Sequence, residues 1–209
     1  MGISRARFWR RVYLIFSMFL GVASPLICSY MIPDFNPIEK PLSYFGVAEL
    51  TAWYWNASLV MIALAIYLNA KKSLYHYFNK AINLKILHTL IIISFVSLFI
   101  TAIVPMDNTL LHRISASSFF LTYNFFVFCF GIFRSLKYVR KGIFSIIVGS
   151  LMLLSSLLLL PFPSYGVFEI VYGLLILFWN ANLFYKRVIQ EDKSINKELG
   201  QATPNAKAS

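Results

Sequence analysis

Apolar residues recur along the chain in six long runs, at about 11–32, 49–70, 86–105, 112–134, 143–161 and 166–185, with polar residues gathered near the run ends. A helix crossing about 30 Å of hydrocarbon needs about 20 mostly apolar residues, and each run is near that length. The connections are short, so consecutive helices should be antiparallel neighbours. The pattern predicts an all-α integral membrane six-helix bundle: a basic N-terminal stretch over 1–10, a six-span domain over 11–185 and a polar tail over 186–209. The first run stops at Ile32-Pro33, because proline cannot continue the helix. The loop that follows, PDFNPIEKPLSYFGVAE, carries three prolines and the aromatics Phe35, Tyr44 and Phe45. It is expected to lie across one mouth of the bundle. Between runs two and three, KKSLYHYFNKAINLK has apolar residues at 74, 78 and 82, a helical spacing that fits either a short interfacial helix or a solvated connection. The tail KRVIQEDKSINKELGQATPNAKAS is expected to fray and then to be largely disordered.

Charge adds an orientation. Of the 19 Lys and Arg residues, all but Lys40 and Arg113 fall on one side of the six-pass map. Arg5, Arg7, Arg10 and Arg11 precede the first span, Lys71, Lys72, Lys80 and Lys85 separate spans two and three, and Arg134, Lys137, Arg140 and Lys141 separate spans four and five. The other five follow the last span. Cytoplasmic loops retain basic residues, so both termini are expected in the cytoplasm of a cell (inner or plasma) membrane protein. The net charge of +11 follows from this topology and does not point to nucleic acid. Arg10-Arg11 and Gly21-Val22-Ala23 resemble parts of an export signal. The apolar run continues past Pro25 to Ile32, which favours an uncleaved first span. Cys28 and Cys129 are expected at different depths, too far apart to bridge. With 59% hydrophobic and 13% charged residues, the composition leaves too little polar surface for a soluble domain of this length.

Ionisable residues at the edge of a span are costly to desolvate and are the first candidates for function. Here Glu49, Asp107, His112, Arg113 and Glu169 all map to the outer boundary, and no charge sits mid-span. That pattern argues against a proton-relay pump or a voltage sensor. FGVAEL at 45–50 and YGVFEI at 165–170 echo each other, each opening an outside-to-inside span with a Glu near its outer end. If spans two, four and six pack together, Glu49, His112 and Glu169 converge. Two carboxylates and an imidazole could hold a proton, a cationic headgroup or a divalent metal. Against that stands a plain alternative, helix-start carboxylates favoured by the macrodipole with a histidine that caps. The candidate ligand-binding set is Glu49, Trp53, Asn56, Asp107, His112, Arg113, Ser115 and Glu169. Trp53 also reads as an interface anchor, and Asn56, Asn124 and Asn180 as interhelical hydrogen-bonding residues. No HExxH or GxSxG motif occurs, no Cys/His cluster, no phosphate-cradling Gly-rich loop, and no pair of histidines at one depth to hold haem. No metal and no cofactor is expected. Ser145 and Gly149 in span five form a small-xxx-small pair that permits close helix approach.

PLSYFGVAELTAWYWNASLVM at 41–61 and IVPMDNTLLHRISASSFF at 103–120 resemble domain-of-unknown-function family 998, six-span prokaryotic membrane proteins that look distantly like the Frag1/DRAM/Sfk1 membrane proteins. The resemblance implies the six-span layout. It makes Pro41, Ser43, Gly46, Asn56, Pro105, His112 and Ala116 the family-typical positions. Members often carry an acidic residue after the Ser, where this chain has Tyr44.

Three functional expectations follow. The first is a non-enzymatic protein whose outer-face polar pocket binds a lipid headgroup or small amphiphile, for lipid transfer, sensing or envelope homeostasis. The second is an intramembrane lipid-modifying hydrolase using His112 with Glu49 or Glu169. The third is a structural or assembly partner of another membrane protein, or of a second copy of this chain. Membrane lipids are the expected partners in the first two.

Overall fold

The computed structural model describes residues 5–104, 106–136, 139–162 and 164–202. Six helices are long and apolar enough to cross a membrane, and the described residues contain no strand. They are α1 (Arg5–Met31), α2 (Ala52–Tyr77), α3 (Ala81–Ile103), α4 (Thr109–Ser135), α5 (Val139–Ser155, extended by a 3-10 turn over Ser156–Leu159) and α6 (Gly166–Ala202). Neighbours in sequence pack as antiparallel pairs from α1 to α5, and α6 closes the bundle against α1, α2 and α5. One end of the bundle carries both chain ends. The other carries the α1–α2 connection, with a short 3-10 helix over Leu42–Gly46, and is called the cap end here.

Several boundaries differ from those read in the sequence. Helix α1 starts at Arg5, inside the basic stretch. The stretch between runs two and three is neither a separate helix nor a long connection. Helix α2 continues through Tyr77, α3 begins at Ala81, and only Phe78–Lys80 separate them. Helix α6 continues past Tyr185 to Ala202, and 203–209 lies outside the described residues. The extension is held by ion pairs. Glu191 pairs with Lys72, with Arg11 and, one turn back, with Arg187, and Asp192 Oδ1 lies 2.8 Å from Arg11 Nη2. These pairs tie α6 to α1 and α2 at the end where both termini lie.

Helices α3 and α4 are joined by a ladder of hydroxyls. Ser94 meets Thr122 at 2.9 Å, Ser97 meets Ser118 at 3.1 Å and Thr101 meets Ser115 at 3.0 Å. Positions 94, 97 and 101 follow the i, i+3, i+7 spacing of one helix face, as do 115, 118 and 122. Each pair in a membrane bundle contributes about 0.6 kcal/mol. Thr122→Val is therefore expected to lower stability by about that amount, with the fold intact, in a denaturation series in detergent.

The small residues of α5 are spent inside the molecule. A Cβ on Gly149 would lie 3.2 Å from the backbone of Phe128 in α4, and Ser145 Oγ accepts from the buried Trp179 Nε1 at 3.0 Å. Trp179 forms an aromatic core with Tyr123, Phe126 and Phe130. Deeper toward the termini, Asn180 Nδ2 donates to Tyr123 Oη at 2.6 Å and Asn69 Nδ2 to Asn180 Oδ1 at 3.1 Å. Asn124 Nδ2 donates to the Gly149 carbonyl at 2.7 Å. Both cysteines are free.

Candidate functional site

The 3-10 helix of the cap lies over a partly open cavity of about 160 Å³ in the cap half of the bundle. Its walls come from α1, α2, α3, α4 and α6, and α5 contributes none. The lining repeats along each helix at helical spacing: Trp55, Leu59, Ile62 and Ile66 on α2, His112, Ala116, Phe119 and Phe120 on α4, and Glu169, Gly173, Ile176 and Leu177 on α6. Leu42, Ser43 and Gly46 line it from the cap. Most of the wall is apolar. Asn56, His112 and Glu169 enter from the cap-end turns of α2, α4 and α6, and hydroxyl residues Ser24, Ser43, Ser58 and Thr101 complete the polar part of the lining.

Glu169 reaches this cavity because α6 is docked against the cap. Ser164 Oγ donates to the Pro37 carbonyl at 2.8 Å, and the Cα of Gly166 lies so close to the Pro37 and Lys40 carbonyls that a Cβ there would strike them. Tyr165, just before, takes a φ of 68°, a left-handed conformation uncommon for a residue with a side chain. One turn on, Glu169 Oε2 accepts the Leu42 N–H at 2.5 Å. This N–H opens the 3-10 helix and has no partner within it, so the carboxylate from α6 serves as its cap.

His112 is 7% exposed. Its Nδ1 lies 2.9 Å from the Val104 carbonyl at the end of α3. A carbonyl can only accept, so Nδ1 carries a proton, and with a single proton on the ring Nε2 is the acceptor. Asn56 Nδ2 donates to the Gly46 carbonyl at 3.2 Å, which leaves Oδ1 as the free end of the amide. Gly46 is required by this contact, because a Cβ on it would lie 2.7 Å from Asn56 Oδ1 and 3.3 Å from the Trp55 ring. The cap is fastened further by Thr51 Oγ1 donating to the Phe45 carbonyl at 2.8 Å and by the fully buried Phe45 ring between Phe35 and Trp55. On α1, Pro25 lines the cavity and has no N–H, so the Gly21 carbonyl, also in the lining, lacks its intrahelical donor.

Of the residues singled out in the sequence, Asn56, His112 and Glu169 share this cavity. Ser115 is buried beside it in the hydroxyl ladder, donating to the His112 carbonyl at 2.9 Å. Glu49, Asp107, Arg113 and Trp53 are exposed and do not line it. Glu49 therefore does not converge with His112 and Glu169. The two echoed segments enter their helices in different registers: Glu169 lies in the first turn of α6, whereas Glu49 lies in the turn before Ala52, where α2 begins. Arg113 follows His112 by about 100° of helix rotation and faces away. Trp55, two residues from Trp53, faces inward and is 6% exposed. Trp55, which with Trp53 reads from the sequence as an interface anchor or a stacking platform, lines the cavity, as do Gly21, Pro25, Thr101 and Gly173, whose residue types carry no chemical signal. Counting turns from Asn56, His112 and Glu169 would have found several such positions. Among the described residues no hydrogen bond joins His112 to a carboxylate, and no group of three or more His, Cys, Asp or Glu could hold a metal.

Of the positions on which the sequence resemblance rests, Ser43, Gly46, Asn56, His112 and Ala116 line the cavity, and Pro41 precedes the 3-10 helix. Pro105 lies outside the described residues. A family model described as Protein of unknown function (DUF998) matches residues 6–184. No curated protein and no solved structure matches the chain.

Proposed function

We propose a function from the cavity itself, as the chain belongs to the DUF998 family of multi-pass membrane proteins of unknown function: it binds a small amphiphile drawn from the membrane. The amphiphile's apolar part would lie among Leu59, Ile62, Ile66, Phe119 and Ile176, and its polar head near Asn56, His112 and Glu169. The observation that carries this reading is the composition of one cavity, apolar over most of its wall, with Ser43, Asn56, His112 and Glu169 entering from the cap and the cap-end turns of α2, α4 and α6. Pockets for small molecules are built this way. The volume matches a ligand segment of modest size, since an engineered cavity of about 150 Å³ takes up benzene. The distribution of Lys and Arg supports a cytoplasmic location for both termini, and with the termini there the cap and its cavity would lie at the outer leaflet of the cell membrane. Sensing or handing on of a lipid or lipid-like molecule at that leaflet is the role this position supports.

Gly173 gives a clean test. It lines the cavity, and a Cβ built on it meets nothing within 4 Å. Gly173→Phe should fill the cavity without disturbing the bundle. Native mass spectrometry of protein purified in mild detergent should find a small amphiphile on the natural chain and none on the Gly173→Phe variant, with both melting at similar temperatures. Equal retention by a folded Gly173→Phe variant would sink the proposal.

A further inference from the structure

Several polar side chains of the cavity have acceptor capacity to spare. Glu169 accepts the Leu42 N–H at Oε2, and a carboxylate has further lone pairs to offer. Asn56 spends its amide nitrogen on Gly46, leaving Oδ1, and His112 spends its Nδ1–H on Val104, so that Nε2 is the nitrogen able to accept when the ring carries a single proton. Pro25 leaves the Gly21 carbonyl without its helix donor. Its spare donors are neutral: Ser43 Oγ has only the Met106 thioether as acceptor, at 3.6 Å, and the Ser58 hydroxyl and the Trp55 indole also belong to lining residues. Among the described residues of the lining there is no Lys or Arg, and Glu169 is the one carboxylate. A cavity with one carboxylate, several spare acceptors and no cation is mismatched to an anionic head. It is matched to a head that brings positive charge and more than one N–H.

We propose that the amphiphile taken up in this cavity carries a protonated amine, its ammonium seated against Glu169 with Asn56 and His112 as further acceptors. This rests on the amphiphile reading and adds the head-group chemistry. An ammonium supplies three donors, enough to meet a carboxylate oxygen, an amide oxygen and a ring nitrogen together. Charge-assisted bonds to a carboxylate are about twice as strong as neutral ones, and more so away from bulk water. Neutral alcohols of the same chain length offer one donor and no charge. Fatty carboxylates would face Glu169 directly.

Isothermal titration of the purified full-length protein in a non-ionic detergent with octylamine, octanol and octanoate at neutral pH tests the head group at constant chain length. The Gly173→Phe variant serves as the control for partition into the micelle. Octylamine is expected to bind at least tenfold more tightly than octanol, and octanoate more weakly than both. Glu169→Gln should shrink the amine preference to within threefold while octanol binding persists. The wild-type series decides the head-group class even if Glu169→Gln loosens the cap and fails to fold. Equal affinity for amine and alcohol, both abolished by Gly173→Phe, overturns the ammonium assignment and leaves the amphiphile cavity standing. Tightest binding by octanoate overturns it as well. No Gly173-dependent heat from any of the three overturns the amphiphile reading and this inference together.

Discussion

Gly142→Ala is expected to cost the bundle about 3 kcal/mol, more than a methyl group added to any other glycine between Gly21 and Gly173. A Cβ on Gly142 would overlap the Gly131 carbonyl and lie 2.6 Å from the Ser135 backbone nitrogen. Both obstacles belong to α4, and backbone cannot step aside as a long side chain can. Gly131 reciprocates, since its own Cβ would lie 2.7 Å from the Ile146 nitrogen of α5. The two helices thus touch main chain to main chain at the hairpin end, and Gly149 continues the same seam against Phe128. Without a hydrophobic driving force between helices in lipid, such close approach is what holds a pair together. Gly173 is the contrast. Its Cβ would stand in open space, so Gly173→Ala should keep the fold and gain up to about 1 kcal/mol from helix propensity alone. Unfolding both variants with increasing SDS in mixed micelles, followed by far-UV circular dichroism, measures the difference directly. A Gly142→Ala transition superimposable on the wild type would mean the seam is looser than described.

The seam also shows which features the sequence could carry. Ser145 and Gly149 stand four residues apart and are legible as a packing face. Nothing local says that the partner is α4 rather than another molecule, because that depends on where Gly131 falls on a different helix. Hydropathy specified the spans for the same local reason: each run must satisfy its own backbone in lipid, so length and apolarity suffice. Helix ends were harder. The sequence of α6 turns polar after Tyr185, yet the helix continues because Glu191 finds Arg11 and Lys72 on other helices. In the site, Asn56, His112 and Glu169 could be picked out as polar residues at span edges. Glu49 met the same criterion and faces away, because helix α2 starts at Ala52 and a shift of a few residues rotates a side chain to the other face. The clasp between Glu169 and the Leu42 N–H joins positions 127 apart, and no pattern within either segment announces it.

Glu191→Ala should be the most damaging change at the terminal end of the bundle, at about 3 kcal/mol. Its carboxylate is the shared partner of Arg11, Lys72 and Arg187. Arg187 is 2% exposed, with Nη1 donating to the Asn69 carbonyl at 3.0 Å and to Ser73 Oγ at 3.2 Å, and with Nε 3.8 Å from Glu191 Oε1. Removing Glu191 strands a buried guanidinium among other cations, and α6 beyond Tyr185 loses its ion pair to Lys72 of α2 while keeping the Asp192–Arg11 pair to α1. The cost therefore lies mainly in the uncompensated charge and only partly in the lost attraction. That distinction is measurable. If the stranded charge dominates, replacing both partners by apolar residues of similar length, Arg187→Met with Glu191→Leu, should recover most of the loss, since Ser73 Oγ still donates to the Asn69 carbonyl at 2.8 Å. The double-mutant cycle in the same SDS titration should then give a coupling of about 2 kcal/mol between the two positions. A double variant no more stable than Glu191→Ala would assign the cost to Lys72 and Arg11 instead, making Glu191 a clamp between helices whose pairing with Arg187 is incidental.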